Sequence, residues 1–383
     1  MEKMKNVPEI RFNGFESEWE ETFMGDLYNF QYGYFNNNPS NGGKYPIYGA
    51  NGVIGGFTDY NSEDAVVIGH MGEYAGVVLW ANGKHFVTYN GIITKPASES
   101  LDAKFGYFLL KKENIRKICG GSGQPFLSYD MLNKIATFYP SRISEQIKIS
   151  DFFQNLDNSI KNHNTQLKKL TNLKKAMLIK MFPQDGASVP EIRFKGFDGE
   201  WEEKSLGTLG KVAMNKRIFK NETSKKEEIP FYKIGTFGGK PDAFISRKLF
   251  KEYKRLYPYP QVGDLLISAS GSIGRVVEYK GEDEYFQDSN IVWLDHEGNI
   301  DNSFLKQYYS FVKWEGLEGS TIKRLYNRNI LETKIFTPAL DEQKKIGNYF
   351  KNLDDLIENH KEQLKKLNQI KKACLSKLFV SQD

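Results

Sequence analysis

The 383-residue chain is long enough for two or three domains. No apolar run nears the roughly 18 residues of a membrane span, MEKMKNVPEI lacks a leader's apolar region, and two cysteines (Cys119, Cys374) cannot outline a disulfide framework, so a cytoplasmic protein is expected. The net charge of +5 is unevenly held: residues 1–142 carry 13 basic against 15 acidic side chains and residues 183–340 carry 24 against 23, whereas 143–182 carry 7 against 3 and 341–379 carry 9 against 6.

In chain order, VPEIRFNGFESEWEE starts at Val7, and short strands are predicted at Tyr45–Tyr48, Ala65–Gly69, Gly76–Trp80, His85–Tyr89 and Ile92–Lys95. These runs are rich in Val, Ile, Tyr and Trp and bounded by Gly, Asn and Asp. Phe105–Lys117 reads as a helix and Thr137–Pro140 as a last strand. From Ser144 to Phe182 the seam Ile149, Phe153, Leu156, Ile160, His163, Leu167, Leu170, Lys174, Met177, Met181 alternates by four and three, a coiled-coil heptad. Pro183 to Gly186 break that helix. VPEIRFKGFDGEWEE then restarts at Val189 with three differences in fifteen positions, which establishes an internal duplication. The second half repeats the plan, with strands at Phe231–Ile234, Asp264–Ser268, Arg275–Tyr279 and Ile291–Leu294 and a helix at Phe304–Trp314. The seam recurs 197 residues on, as Ile346, Phe350, Leu353, Ile357, His360, Leu364, Leu367, Lys371, Cys374, Leu378.

The expected fold is α+β: two tandem strand-rich domains (1–142 and 189–340), two long helices (143–182 and 341–379) and a linker at 183–188. Left exposed, each seam would be a large apolar patch, so it must be buried either within the chain or between chains. The short linker and following globular domain permit a pair within the chain, antiparallel and pseudo-twofold, and that is the arrangement expected. His163 and His360 would then meet at the crossing as polar residues that fix register. They are too few for a metal site, and His70, His85 and His296 are dispersed.

Catalytic motifs are missing. GSGQPF and SGSIG are Gly-rich but lack the Lys-Ser/Thr of a phosphate loop, and no G-x-S-x-G, H-E-x-x-H or paired-Cys motif occurs. The Asn/Asp-Pro-Pro-aromatic word of amino-methyltransferases is also absent. What remains is a set of loops at equivalent places in the two halves, bearing side chains suited to base edges and phosphates. The candidates are Gln31, Tyr32, Tyr34, His70, Tyr74, Ser122 and Gln124 in the first half. In the second they are Lys216, Arg217, Lys220, Ser270, Ser272, Lys323, Arg324 and Tyr326. The plain alternative is solvated surface, the simpler reading for any single Lys, but the pairing of equivalent loops in both copies favours the joint reading.

The order of these words resembles the specificity subunit of type I restriction-modification systems over nearly the whole chain. It carries VPEIRFxGFxxEWE, then Gly121-Ser122, Pro140, Glu145-Gln146, Leu156-Asp157, Ile160 and Gln166–Leu170. It repeats them as Gly319-Ser320, Pro338, Glu342-Gln343, Leu353-Asp354, Ile357 and Gln363–Leu367. The resemblance implies two target recognition domains, each reading half of a bipartite asymmetric duplex site, with the helices as spacer. It implies a non-catalytic chain that assembles two adenine methyltransferase subunits using S-adenosylmethionine and two restriction subunits using ATP and Mg, with no cofactor of its own. The alternative from another class is a coiled-coil scaffold with two interaction domains and no DNA reading.

Overall fold

A computed structural model describes residues 6–35, 37–121, 123–184, 186–312, 314 and 324–380. The chain divides into two compact units, Met1–Thr165 with Lys361–Asp383, and Gln166–His360. This division differs from the sequence-order domains expected above: it cuts through each long helix, so each unit takes a segment of both.

The first unit is built on a six-stranded sheet in the order Tyr28–Tyr32, Gly91–Pro96, Ser62–Gly69, Val78–Val87, Tyr45–Gly49, Gly52–Phe57. Its pairs are antiparallel except Ile47↔Phe86, where Tyr45–Gly49 runs parallel to Val78–Val87. A ribbon of Glu20–Phe23 and Ala136–Tyr139 leads into the first long helix, Ile143–Lys180. Helix Ala103–Lys112 is started by Asp102, whose carboxylate accepts the Phe105 amide at 2.7 Å. Trp19, Phe105, Phe108, Phe153 and Phe379 pack as one aromatic core.

The second unit holds a four-stranded sheet, Lys211–Ala213, Ile291–Asp295, Leu265–Ser268, Val276–Glu278, and a three-stranded one, Ala243–Ile245, Ile229–Tyr232, Tyr285–Phe286. Asp301 caps helix Asn302–Tyr309 as Asp102 does its counterpart. A ribbon of Glu202–Ser205 and Lys334–Thr337 leads into the second long helix, Leu340–Lys377.

Within each unit the two helix segments run antiparallel. In the first, Phe153 faces Phe379 (6.0 Å between centroids) and Asp157 pairs with Lys371, so numbers rise on one helix as they fall on the other. In the second, Lys174 pairs with Asp354 at 2.6 Å and Phe182 faces Phe350 at 6.0 Å. All twenty seam positions are buried or half-buried. The two seam lysines are accommodated because each meets the aspartate that follows a seam leucine, keeping a partly desolvated ammonium paired.

The repeated words meet in space. Arg11 grips Glu145 through Nε (2.7 Å) and Nη2 (2.8 Å), and Trp19 donates to the same carboxylate at 3.3 Å. Arg193 grips Glu342 in the same way, at 2.6 and 2.7 Å. Gln146 accepts the Asp102 amide (2.7 Å) and donates to the Pro140 carbonyl (2.7 Å); Gln343 does the same to Asp301 (2.9 Å) and Pro338 (2.8 Å). The duplicated sequence is therefore the clasp between each globular part and its long helix.

Several expected elements are corrected. Gly76–Trp80 and His85–Tyr89 overlap the two ends of one strand, Val78–Val87, which continues because its partner bulges at Glu63/Ala65. There Asp64, at φ +43°, accepts the Gly83 amide at 2.8 Å. The Phe105–Lys117 helix stops at Lys112, since Asn114 takes the left-handed conformation (φ +46°) before a 3₁₀ turn. The helix placed at Phe304–Trp314 is Asn302–Tyr309, moved forward by its Asp301 cap. Strand Gly52–Phe57 and helix Arg247–Leu256 were not expected at all.

Candidate nucleic-acid interface

In each unit a strand, a glycine turn and a returning strand are tied to a later segment by the same backbone bonds. In the first unit Gly76 donates to the Gly69 carbonyl (2.8 Å), His70 to Asn90 (2.8 Å) and Leu127 to His70 (2.9 Å), and Met71 bridges Phe126. In the second Gly274 donates to Ser268 (2.9 Å), Ala269 to Asn290 (2.8 Å) and Leu325 to Ala269 (2.8 Å), and Ser270 bridges Arg324. Gly76 (φ +79°) and Gly274 (φ +78°) are glycine for two reasons: the left-handed backbone, and a Cβ that would meet Arg116 or Trp314 at 2.8 Å. Position by position, Met71 corresponds to Ser270, Phe126 to Arg324 and Asn90 to Asn290. The register Gln31↔Ile93 against Ala213↔Trp293 extends the match to Tyr34 with Lys216 and Phe35 with Arg217.

On this shared frame the first unit mounts aromatic groups. Tyr32 stacks between His70 (4.3 Å) and Tyr129 (4.0 Å), with Tyr89 at 5.3 Å. His70 is nearly buried, its Nδ1 bonded to the Tyr89 carbonyl at 3.0 Å, so it braces the stack rather than presenting an open edge. The Tyr129 hydroxyl accepts the Tyr32 amide, and burial pushes both phenols above the usual tyrosine pKa. Gln31 donates to the Tyr34 hydroxyl at 3.2 Å; Tyr34, Phe35, Tyr74, Gln124 and Phe126 are exposed. Tyr74 lies in the turn whose Gly72 amide bonds Pro125 (2.8 Å), next to Gln124.

The second unit mounts cations and small polar groups at the same places. Arg217 Nε donates to Asp288 at 2.9 Å, Ser270 to Asn290 Oδ1 at 2.8 Å, and Arg324 Nη2 to the Ser289 carbonyl at 3.1 Å while its guanidinium lies 5.7 Å from the Tyr326 ring. Arg217 and Lys220 line one cleft of about 640 Å³; Arg324 and Tyr326 line another of about 430 Å³. Lys216 instead lies over Tyr257, 5.0 Å from its centroid. Ser272 is exposed beside Arg275 in the glycine turn, apart from the Ser270–Asn290 pair. Ser122 and Lys323 fall outside the described residues. His163 and His360 are half-buried seam residues, one in each unit.

Sequence reasoning missed Phe35, Tyr89, Phe126 and Tyr129 in the first unit and Arg275, Asp288, Ser289 and Asn290 in the second. The polar run Gln287–Asn290 between two apolar strands was the available signal. Among the described residues no group of three or more His, Cys, Asp or Glu could hold a metal, and no helix is long and apolar enough to cross a membrane.

Residues 16–172 and 198–369 match the family model described as the type I restriction modification DNA specificity domain. The chain belongs to that family. It is 36% identical over 313 residues to a Haemophilus influenzae chain named as a type I restriction enzyme specificity subunit, covering 79% of this chain and 78% of that one. It is 24% identical over 352 residues to the Methanocaldococcus jannaschii MjaX specificity subunit, covering 84% and 76%. The crystal structure of a type I restriction-modification S subunit from M. genitalium superposes with a TM-score of 0.74 at 19% identity, over 98% of this chain and 100% of that one. Family membership makes this a DNA specificity subunit and disfavours the scaffold alternative.

Proposed function

We propose that each unit reads one half of a bipartite, asymmetric duplex DNA site, and that the paired helices set the gap between the halves. The observation that carries this is the common backbone frame with unlike side chains: Tyr34, Phe35, Met71 and Phe126 in one unit, Lys216, Arg217, Ser270 and Arg324 in the other. A frame kept twice but furnished differently suits readers of two different sequences. The major groove distinguishes all four base pairs, so loops of this size can specify a half-site there.

In this reading the chain contributes no bond-making step. Two adenine methyltransferase subunits, holding S-adenosylmethionine, act on an adenine extruded from the stack. Two restriction subunits using ATP and Mg complete the endonuclease. The near-neutral globular parts fit a reader that leans on local cations and on its partners for phosphate attraction.

Selection of random duplexes by the chain with its methyltransferase partner, followed by sequencing, tests this. A gapped two-part motif is expected. Exchanging residues 1–142 for the matching region of another family member should alter one half only. Salt-insensitive binding without sequence enrichment, or a change in both halves, would overturn it.

A further inference from the structure

We infer that Arg217, held by Asp288, recognises a guanine in the half-site read by the second unit; this rests on the DNA-reading function proposed above. Arginine reads guanine by a two-pronged hydrogen bond to O6 and N7, which needs a guanidinium that is fixed yet keeps a free edge. Arg217 meets both needs. Its bond to Asp288 runs through Nε at 2.9 Å, leaving the terminal Nη1/Nη2 edge without a partner among the described residues, and the side chain is 61% exposed.

The support beneath it is held by several hydrogen bonds. The Asp288 carboxylate is 15% exposed and also accepts the Ser289 hydroxyl at 3.1 Å. Ser289 sits at φ +58°, an uncommon backbone for a side-chain-bearing residue, and its carbonyl is held by Arg324 at 3.1 Å. The Asp288 carbonyl accepts the Asn290 amide at 2.7 Å. A guanidinium tethered in this way loses less freedom on binding than a loose one.

Other arginines are differently placed. Arg193 is spent on Glu342 through both Nε and Nη2, and Arg247 is shared between Glu228 and Asp283. The cleft beside Arg217 also presents Lys220 and Lys225, suited to flanking phosphates, and Asn290, suited to a neighbouring base. At the corresponding place the first unit has Phe35, exposed and stacked on Phe86 at 5.7 Å, and buried Thr88. At this place in the frame only the second unit carries an arginine, and Asp288 acts as its positioning residue.

The test is duplex selection and sequencing with the full chain in its methyltransferase complex, comparing wild type with Arg217→Ala, Arg217→Lys and Asp288→Asn. Thermal melting confirms that each variant folds. Wild type should prefer guanine at one position of one half-site by roughly ten- to a hundredfold. Arg217→Ala should reduce that preference to about threefold or less, with the other half-site and the salt dependence unchanged. Arg217→Lys should fall between, and Asp288→Asn should lose several-fold while keeping the arginine.

Uniform weakening on all duplexes with a salt slope lower by about one would make Arg217 a phosphate contact and overturn the inference. An unchanged motif in Arg217→Ala would overturn it as well. Loss in Arg217→Ala with none in Asp288→Asn would remove Asp288's role. If wild type selects no two-part motif, the DNA-reading function itself fails, which is a separate result.

Discussion

Arg11→Met tests the clasp between the first globular part and its helix. Glu145 is 1% exposed and accepts three hydrogen bonds, two from Arg11 and one from Trp19. Deleting the guanidinium strands a buried carboxylate, and breaking a buried pair from one side costs about 3–5 kcal/mol. Arg11's own side chain is 11% exposed, so water can reach part of the site and the lower end of that range applies. A unit of this size loses about 2–4 °C of melting temperature per kcal/mol, giving a shift of roughly 6–12 °C. Removing both charges in Arg11→Met/Glu145→Leu should recover much of the loss, since a hydrophobic replacement of similar volume tolerates burial that a lone charge does not. Calorimetry of the full chain at pH 7 measures all three proteins. A single-variant loss below about 1 kcal/mol, or a double variant less stable than the single, would refute the assignment of Glu145 as a buried charge dependent on Arg11.

Three further outcomes are expected. Asp354→Lys should destabilise the second unit by setting two ammonium groups against each other, and Lys174→Asp/Asp354→Lys should restore most of the loss in a denaturant melt. His85 is fully buried with Nδ1 on the Gly83 carbonyl at 2.7 Å, and burial lowers its pKa. The unfolded chain then takes up the proton more readily, so stability is complete above about pH 6.5 and declines as the pH falls. A melting series from pH 8 to 5 should show a decline that shrinks in His85→Gln; an identical decline in both would exclude His85. Tyr32→Ala, which empties the middle of the His70–Tyr129 stack, should blur the half-site read by the first unit and leave the other intact in duplex selection.

The features written into short-range pattern were legible from the sequence. The seam could be read residue by residue because a heptad repeats locally, and the duplicated words announced themselves by near identity. Strand Gly52–Phe57 escaped notice because GVIGGF has three glycines and little β-propensity; it forms by pairing with Tyr45–Gly49 across a tight turn. The continuous strand Val78–Val87 was split in two because Asn82 and Gly83 read as a turn, and only the bulge at Asp64 lets the ladder pass. Arg217 was a candidate from its loop, yet Asp288, 71 residues on, could not be paired with it before the fold was known. Tyr129 and His70 likewise meet on Tyr32 through register that no local window contains.

Leu378, Phe379 and Val380 lie in the aromatic core of the first unit beside Trp19 and Phe105. A ribosome delivers those three residues only after all of Gln166–His360 has emerged. The half that is made first is thus the half that is finished last, and until then it exposes a gap where Phe379 belongs. A stop codon just after residue 360 would leave every loop of that first reader intact in sequence while depriving it of its closing aromatic. Damage at the far end of the message would then surface as a defect in the earliest-made reader.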